Sequence, residues 1–162
     1  MTDQLVSIGA RATYDVVDED AMTSDSATKI PTQQSVKAYA DSLTVSAAGA
    51  AKHYIVGKVT DISTSGSTFV VCPIAGTISK IYSTINNAIT VGDAALTFEL
   101  AGVAVTGGAI TVAYDGSAAG DVDSATPTAA NTVTAGQAIE MISDGGSTDA
   151  CECHITFEIT PA

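Results

Sequence analysis

Residues 151–160 read Cys-Glu-Cys-His-Ile-Thr-Phe-Glu-Ile-Thr, and this stretch decides the fold. Apolar and polar side chains alternate along it without a break. Successive side chains of a β-strand point to opposite faces of the sheet, so the pattern predicts one face in a core and one in water. The inward set is Cys151, Cys153, Ile155, Phe157 and Ile159, and the outward set is Glu152, His154, Thr156, Glu158 and Thr160.

Seven segments upstream share the features of this strand: they are short, rich in apolar residues and bounded by turn residues. They are residues 53–62, 68–72, 77–85, 94–100, 109–114, 132–134 and 138–143. No helix is predicted after residue 50, so the sheets must pack on each other or on neighbouring subunits. The sequence therefore predicts a mainly β fold, with a jelly-roll-like antiparallel β-sandwich over residues 51–162.

The first fifty residues have a different character. Residues 1–22 are predicted to form an extended anchoring arm with two apolar patches. The anchoring residues are Leu5, Val6, Ile8, Tyr14, Val16 and Val17. Residues 23–50 are predicted to form a short helical stem and a linker. The helix is expected over residues 32–45 with Thr32 as N-cap, and the small residues that follow favour a linker.

The predicted helix carries one apolar stripe. Val36, Tyr39 and Leu43 have the spacing i, i+3, i+7, which corresponds to positions a, d and a of a heptad. The stripe is shorter than two heptads, and so short a helix is marginal in water on its own. It therefore needs packing, either against its own domain or against copies of itself.

The composition favours self-association. Of the 162 residues, 46% are hydrophobic but only 5% are aromatic, and tryptophan is absent. Alanine and valine bury little surface each, and buried apolar surface contributes only about 25 cal/mol per Å². A monomer with such a core is expected to be marginally stable, and subunit contacts would add buried surface.

The charge excludes two classes of partner. A formal net charge of −12 opposes binding to nucleic acid and to anionic membrane surfaces.

The first residues lack the pattern of a signal peptide, and no apolar run of about 18 residues is present. Synthesis in the cytoplasm is expected.

Candidate chemistry is sparse. Neither His53 nor His154 has a serine partner in a nucleophile motif, so no catalytic residue, cofactor or enzymatic activity is predicted. Tyr82 and Tyr114 are the mid-domain candidates for stacking on a sugar, although half-buried packing is the favoured interpretation.

The cysteines and the acidic loop do not predict a metal site. Cys72, Cys151 and Cys153 are interpreted as reduced, mostly buried thiols, and whether Cys72 pairs with one of the others stays open. The long connection 115–131 contains Asp115, Asp121 and Asp123, whose oxygens would suit calcium. Their spacing matches no EF-hand loop, so a solvated acidic loop is favoured.

Residues 18–41 resemble a module of phage tail-fibre and head-fibre proteins. The resemblance lies in an acidic start, the run Ser-Ala-Thr-Lys-Ile-Pro-Thr-Gln-Gln-Ser-Val-Lys-Ala-Tyr at residues 26–39, and a closing Asp41. In that family the helix forms a short trimeric stem. The resemblance implies a homotrimer in which Val36, Tyr39 and Leu43 line the three-fold axis.

Residues 76–83 and 118–140 are similar to sandwich domains of phage decoration and fibre proteins. Together the resemblances imply a bacteriophage virion protein, made in the host cytoplasm, that binds the major capsid protein on the outer surface of the capsid as a cement or head-fibre protein. Only residues 1–17 precede the fibre module, which favours the capsid over a tail. A short tail fibre or receptor-binding tail protein is the alternative, and a host-surface glycan or receptor stays open as a partner.

Overall fold

The computed structural model describes residues 4–7, 13–24 and 26–162. Two compact units divide the chain, Met1–Ala50 and Ala51–Ala162. Within the described ranges, no helix is both long enough and apolar enough to span a lipid bilayer.

The described part of the N-terminal unit contains three short strands and one helix. Strand β1 (Gln4–Ser7) pairs antiparallel with β2 (Thr13–Val17), and β2 pairs in parallel with β3 (Lys29–Pro31). Helix α1 (Gln33–Ala50) follows β3 directly. The helix extends beyond the predicted 32–45, because the alanines and other small residues assigned to a linker are helical up to residue 50; alanine has the highest helix propensity.

Ten strands build the C-terminal unit. They are β4 (His53–Val59), β5 (Gly66–Cys72), β6 (Gly76–Ile85), β7 (Ala94–Leu100), β8 (Val103–Ala104), β9 (Ile110–Val112), β10 (Val122–Ala125), β11 (Thr132–Val133), β12 (Gln137–Ser143) and β13 (Cys153–Pro161). The predicted mainly β, antiparallel sandwich is confirmed.

The strands form two sheets. Sheet 1 has the order β10-β6-β13-β4 with β11 also on β6, and sheet 2 has the order β5-β12-β7-β8 with β9 also on β7. From β4 to β7 each successive strand lies in the other sheet, and β12 and β13 again lie in different sheets. This alternation is jelly-roll connectivity.

The core lies between the two sheets. Phe98 on β7 and Phe157 on β13 meet edge to face with ring centroids 5.3 Å apart, so this aromatic pair joins sheet 2 to sheet 1. The side chain of Met141 on β12 fills the space beside Gly57 on β4, where a Cβ would lie 2.5 Å from its Sδ. The inward set predicted for the last strand is confirmed, with all five side chains buried.

Two details differ from the sequence expectation. The predicted loop 115–131 contains β10, which pairs antiparallel with β6 and completes sheet 1. Glu158, predicted to face water, is only 7% exposed. Its burial follows from neighbours on other strands, described below.

Candidate assembly surfaces

A polar cluster fixes the end of β2 to the start of α1. The Thr32 hydroxyl accepts the Ser35 backbone N–H at 3.1 Å, which confirms Thr32 as the N-cap, and donates to Oδ1 of Asp18 at 2.8 Å. The fully buried Ser35 hydroxyl donates to the same carboxylate oxygen at 3.1 Å and accepts the Glu19 N–H at 2.7 Å. A carboxylate beside a helix N-terminus is stabilised by the helix dipole. The acidic run after β2 is therefore part of the helix start.

The predicted stem residues form one uncovered stripe on α1. Val36, Tyr39 and Leu43 are 48%, 40% and 52% exposed in the single chain. Away from the stripe, Lys37 and Asp41 form an i,i+4 ion pair of 2.5 Å. The helix thus presents apolar side chains on one face and charge on another, as an assembling helix requires.

The predicted anchoring residues lie mostly on two paired strands. Leu5 and Val6 are on β1, Tyr14, Val16 and Val17 are on β2, and Ile8 lies outside the described residues. Val6 is the register partner of Tyr14. Val16 and Val17 are half-buried. The arm is therefore a small sheet, rather than a single extended segment.

The outer face of sheet 1 combines exposed apolar side chains with lysines. Tyr54 and Val56 on the edge strand β4 are each 60% exposed. Two strands further in, Nζ of Lys80 lies 5.0 Å from the ring centroid of Tyr82. Tyr82 is thus half-buried in packing, whereas Tyr114, the other candidate for sugar stacking, is 48% exposed.

Glu158 is the centre of an ionic cluster on this face. Its Oε1 accepts from Nζ of Lys52 at 2.6 Å and from the Ser79 hydroxyl at 2.7 Å. The Tyr54 hydroxyl lies 3.4 Å from Oε2. The hydrogen bond from Lys52, followed by that from Ser79, lowers the pKa of the Glu158 carboxyl. A side chain predicted to face open water is therefore enclosed by three partners distant in sequence.

We predict that Glu158→Gln lowers the free energy of unfolding by about 1 kcal/mol at neutral pH, because one ionic hydrogen bond to a half-exposed lysine is lost. The folded pKa is depressed, so this contribution is complete above the unfolded carboxyl value of about 4.3 and disappears as pH falls through the folded pKa. Urea unfolding at pH 7 measures the loss of stability, and the same measurement in acid tests whether that loss disappears.

Glu152→Gln is the matched control. Glu152 pairs with Lys58 at 2.8 Å and with His154 at 2.9 Å, but it is more exposed than Glu158. It should change stability less than Glu158→Gln does, because solvent screens an exposed ion pair. Equal effects of the two variants would show that the burial of Glu158 adds nothing.

The outer face of sheet 2 is apolar at its edge and acidic further in. Phe69 and Val71 on the edge strand β5 are 64% and 58% exposed. Glu140 on β12 is the register partner of Phe69 and lies directly opposite Glu99 on β7. Like charges in this arrangement are destabilising. Among the described residues, neither carboxylate forms an ion pair.

The exposed apolar residues on these two edge strands were not predicted, although the sequence contains a signal for them. The runs Tyr54-Ile55-Val56 and Phe69-Val70-Val71 are apolar at consecutive positions. A strand with one face in water should instead alternate. Continuous apolar runs on the edge strands of a sandwich indicate a second, external contact.

The acidic connection does not assemble a cation site in the part of the chain that the structure describes. There, no three acidic, histidine or cysteine side chains are grouped so as to hold a metal ion. Asp121 instead accepts the Ala118 N–H at 2.6 Å, a local turn interaction. Asp123 is half-buried beside β6, and burial, together with the nearby Asp121 charge, raises its pKa.

The three cysteines are free and buried. In the structure, Cys72 therefore forms no disulfide bond with either Cys151 or Cys153. Burial raises the pKa of the Cys153 thiol to about 12. A thiol this far from ionisation at neutral pH is a poor nucleophile.

Comparison with known proteins adds no family. No protein-family model matches the sequence, and no curated protein matches it. The solved structure of dimeric latent PorU from Porphyromonas gingivalis is 11% identical with a TM-score of 0.39, over 67% of this chain and 13% of that chain. A structure of Bacillus endospore appendages, described as disulfide-linked pili, is 19% identical with a TM-score of 0.27, over 70% of this chain and 94% of that one. The chain spans only a small part of PorU, and scores this low support no further conclusion.

Proposed function

We propose that this chain is a structural protein of a phage particle, a trimeric decoration protein of the cement or head-fibre type on the outer capsid surface. In this proposal the N-terminal unit trimerises and binds the major capsid protein, and the β-sandwich decorates or stabilises the shell. The observation that carries it is the uncovered stripe of Val36, Tyr39 and Leu43 on α1.

The stripe supports self-association on physical grounds. α1 is 18 residues long, near the length at which isolated helices are only marginal in water. Apolar a and d positions are stabilised when copies of the helix pack knobs into holes. Residues 33–41 of this helix also belong to the stretch that resembles the fibre module, in which the helix forms a trimeric stem.

The arm suits attachment to a repetitive shell. Three arms on one trimer would bind neighbouring capsid subunits together, and linked weak contacts gain avidity. The net charge of −12 keeps such a protein soluble and suppresses non-specific association.

The test is binding of the purified full-length chain to phage heads assembled without it. Deleting residues 1–12 removes β1 but keeps Asp18, Thr32 and Ser35, so the start of α1 stays intact. We expect the deletion to weaken binding by roughly a hundredfold or more while the trimer persists.

A chain with residues 1–12 in scrambled order is the matched control for length and charge, and it should fail in the same way. Unchanged binding by the deleted chain would exclude residues 1–12, with Leu5, Val6 and Ile8, as the anchor. Absence of binding by the intact chain would exclude the decoration role.

One observation favours the alternative, a short tail fibre or receptor-binding tail protein. Exposed aromatic rings suit recognition of a glycan or receptor, and Tyr54, Phe69 and Tyr114 are all substantially exposed. Binding of the labelled chain to host cells, with no binding to heads, would support this function instead.

A further inference from the structure

We infer that the β-sandwiches themselves form a ring, in which the outer face of sheet 1 of one copy packs on the outer face of sheet 2 of the next. The occupant of both faces is a second copy of this chain. The inference extends the proposed function, since it rests on a trimer and names the surfaces that the sandwiches use.

The two faces are complementary in charge. Residues 51–162 contain three lysines and no arginine. All three lysines belong to the sheet 1 side: Lys52 binds Glu158 there, Lys58 is on β4 and Lys80 is on β6. The strands of sheet 2 contain no basic residue, and their outer face carries Glu99 and Glu140.

The charges that remain unpaired are those that the two faces would bring together. Lys52 and Lys58 already have carboxylate partners within their own chain. Lys80 contacts the Tyr82 ring but forms no ion pair with a described residue, and the same holds for Glu99 and Glu140. A second copy would supply carboxylate partners for Lys80 and a lysine partner for Glu99 and Glu140.

The spacing across the sheets also matches. On sheet 1 the exposed apolar residues are on the edge strand β4, and Lys80 is two strands further in. On sheet 2 the exposed apolar residues are on the edge strand β5, while Glu140 and Glu99 are one and two strands further in. With strands about 4.8 Å apart, edge can meet edge while Lys80 meets the two carboxylates.

Three contacts of this kind would close three copies into a ring. The apolar patches lie on opposite outer faces of one sandwich, on the edge strands β4 and β5. A front-to-back contact is heterologous, and cyclic trimers are built from such contacts.

The experiment uses the full-length chain, prepared separately with ¹⁴N and ¹⁵N, mixed through a dissociation and reassembly cycle, and treated with a zero-length carbodiimide that joins touching amines and carboxylates. Lys80 and Glu140 lie on opposite outer faces of the same sandwich, and the sheets are about 10 Å apart, so they cannot be joined within one chain. We expect mixed-isotope peptides that join Lys80 to Glu140 or Glu99. The Lys52 to Glu158 bond, within one chain at 2.6 Å, is the positive control.

A charge swap gives the second arm. The double variant Glu99→Lys, Glu140→Lys should raise the concentration at which half of the trimer dissociates by roughly tenfold or more, because it opposes Lys80 with like charges. Adding Lys80→Glu should restore much of that loss. Asp115→Lys, a charge reversal at an exposed aspartate in the connection between β9 and β10, is the control and should have little effect.

The outcomes separate the two proposals. A monomer in native mass spectrometry would overturn the trimer, and with it this inference. A trimer without the Lys80 cross-links, or one that is insensitive to the swap, would overturn the ring of sandwiches and leave the helical stem standing. Protection of the same faces only after binding to phage heads would overturn it in favour of the shell as the occupant.

Discussion

In the proposed trimer, replacing Leu43 with aspartate is expected to reduce the particle from three times 16.2 kDa to a monomer of 16.2 kDa. Leu43 is 52% exposed in the single chain, on the stripe shared with Val36 and Tyr39. In a trimeric stem this side chain would be buried at the axis. Three carboxylates would then be taken out of water and held close together, and burying each unpaired charge costs several kcal/mol. Native mass spectrometry and sedimentation at micromolar concentration measure the change.

Gln34→Asp is the matched control. Gln34 is exposed on the first turn of the same helix, outside the stripe, where a carboxylate is compatible with the helix dipole. This variant should stay trimeric, and its far-ultraviolet spectrum should match that of the unchanged chain. If Leu43→Asp remained a trimer, the stripe would not be the contact, and the proposed stem would be wrong.

The alternation rule explains why so much of the sandwich could be predicted. In β13 each buried residue is separated from the next by a more polar one up to Phe157, and this period survives in the structure because the strand has sheet neighbours on both sides and a core on one face. The same logic located seven further strands within a few residues of their ends. Turn residues marked where each strand stops.

Strand β10 could not be found in this way. Its sequence, Val-Asp-Ser-Ala, has one strong β-former and two residues typical of turns. It is a strand because β6 offers a free edge to which it pairs over four registered positions. That stabilisation comes from tertiary pairing, which no local pattern in residues 115–131 encodes.

The predicted exposure of the Glu158 side chain was wrong for a related reason. Alternation correctly placed it on the outer face, but exposure depends on what else reaches that face. Lys52 lies 106 residues away in the chain and still covers it, together with Ser79 at the register shift between β6 and β13. Long lysine side chains bury their stems on neighbouring surface, so side chains on an outer face can become enclosed.

The candidate surfaces also combine features that the sequence could predict with features that it could not. The stripe on α1 could be predicted because helical spacing alone puts Val36, Tyr39 and Leu43 on one face. The opposition of Glu99 and Glu140 could not, since it depends on the register between β7 and β12. Local periodicity predicts which face a residue occupies, whereas pairing between distant strands determines its neighbours.

Replacing Phe157 with alanine is expected to lower the free energy of unfolding by about 3–5 kcal/mol, the usual cost of removing a buried aromatic side chain. Phe157 is fully buried, and its ring meets Phe98 edge to face at 5.3 Å. The chain has only three phenylalanines and no tryptophan, so few large side chains remain to fill the space between the sheets. Since the free energy of unfolding of small domains is only about 5–15 kcal/mol, the variant should lose much of its stability.

The measurement is best made in the Leu43→Asp background, where unfolding is not coupled to association. There the urea midpoint should fall while the slope with denaturant stays constant, which indicates lost stability with the same surface exposed on unfolding. Phe69→Ala is the control in that background, because Phe69 is 64% exposed and should matter by less than about 0.5 kcal/mol. A loss below about 1 kcal/mol for Phe157→Ala would mean that the aromatic contact between the sheets is dispensable. The stability of this core would then have to come from its aliphatic side chains, chiefly isoleucines, and the argument that so few aromatic residues leave the chain dependent on its own copies would lose its physical basis.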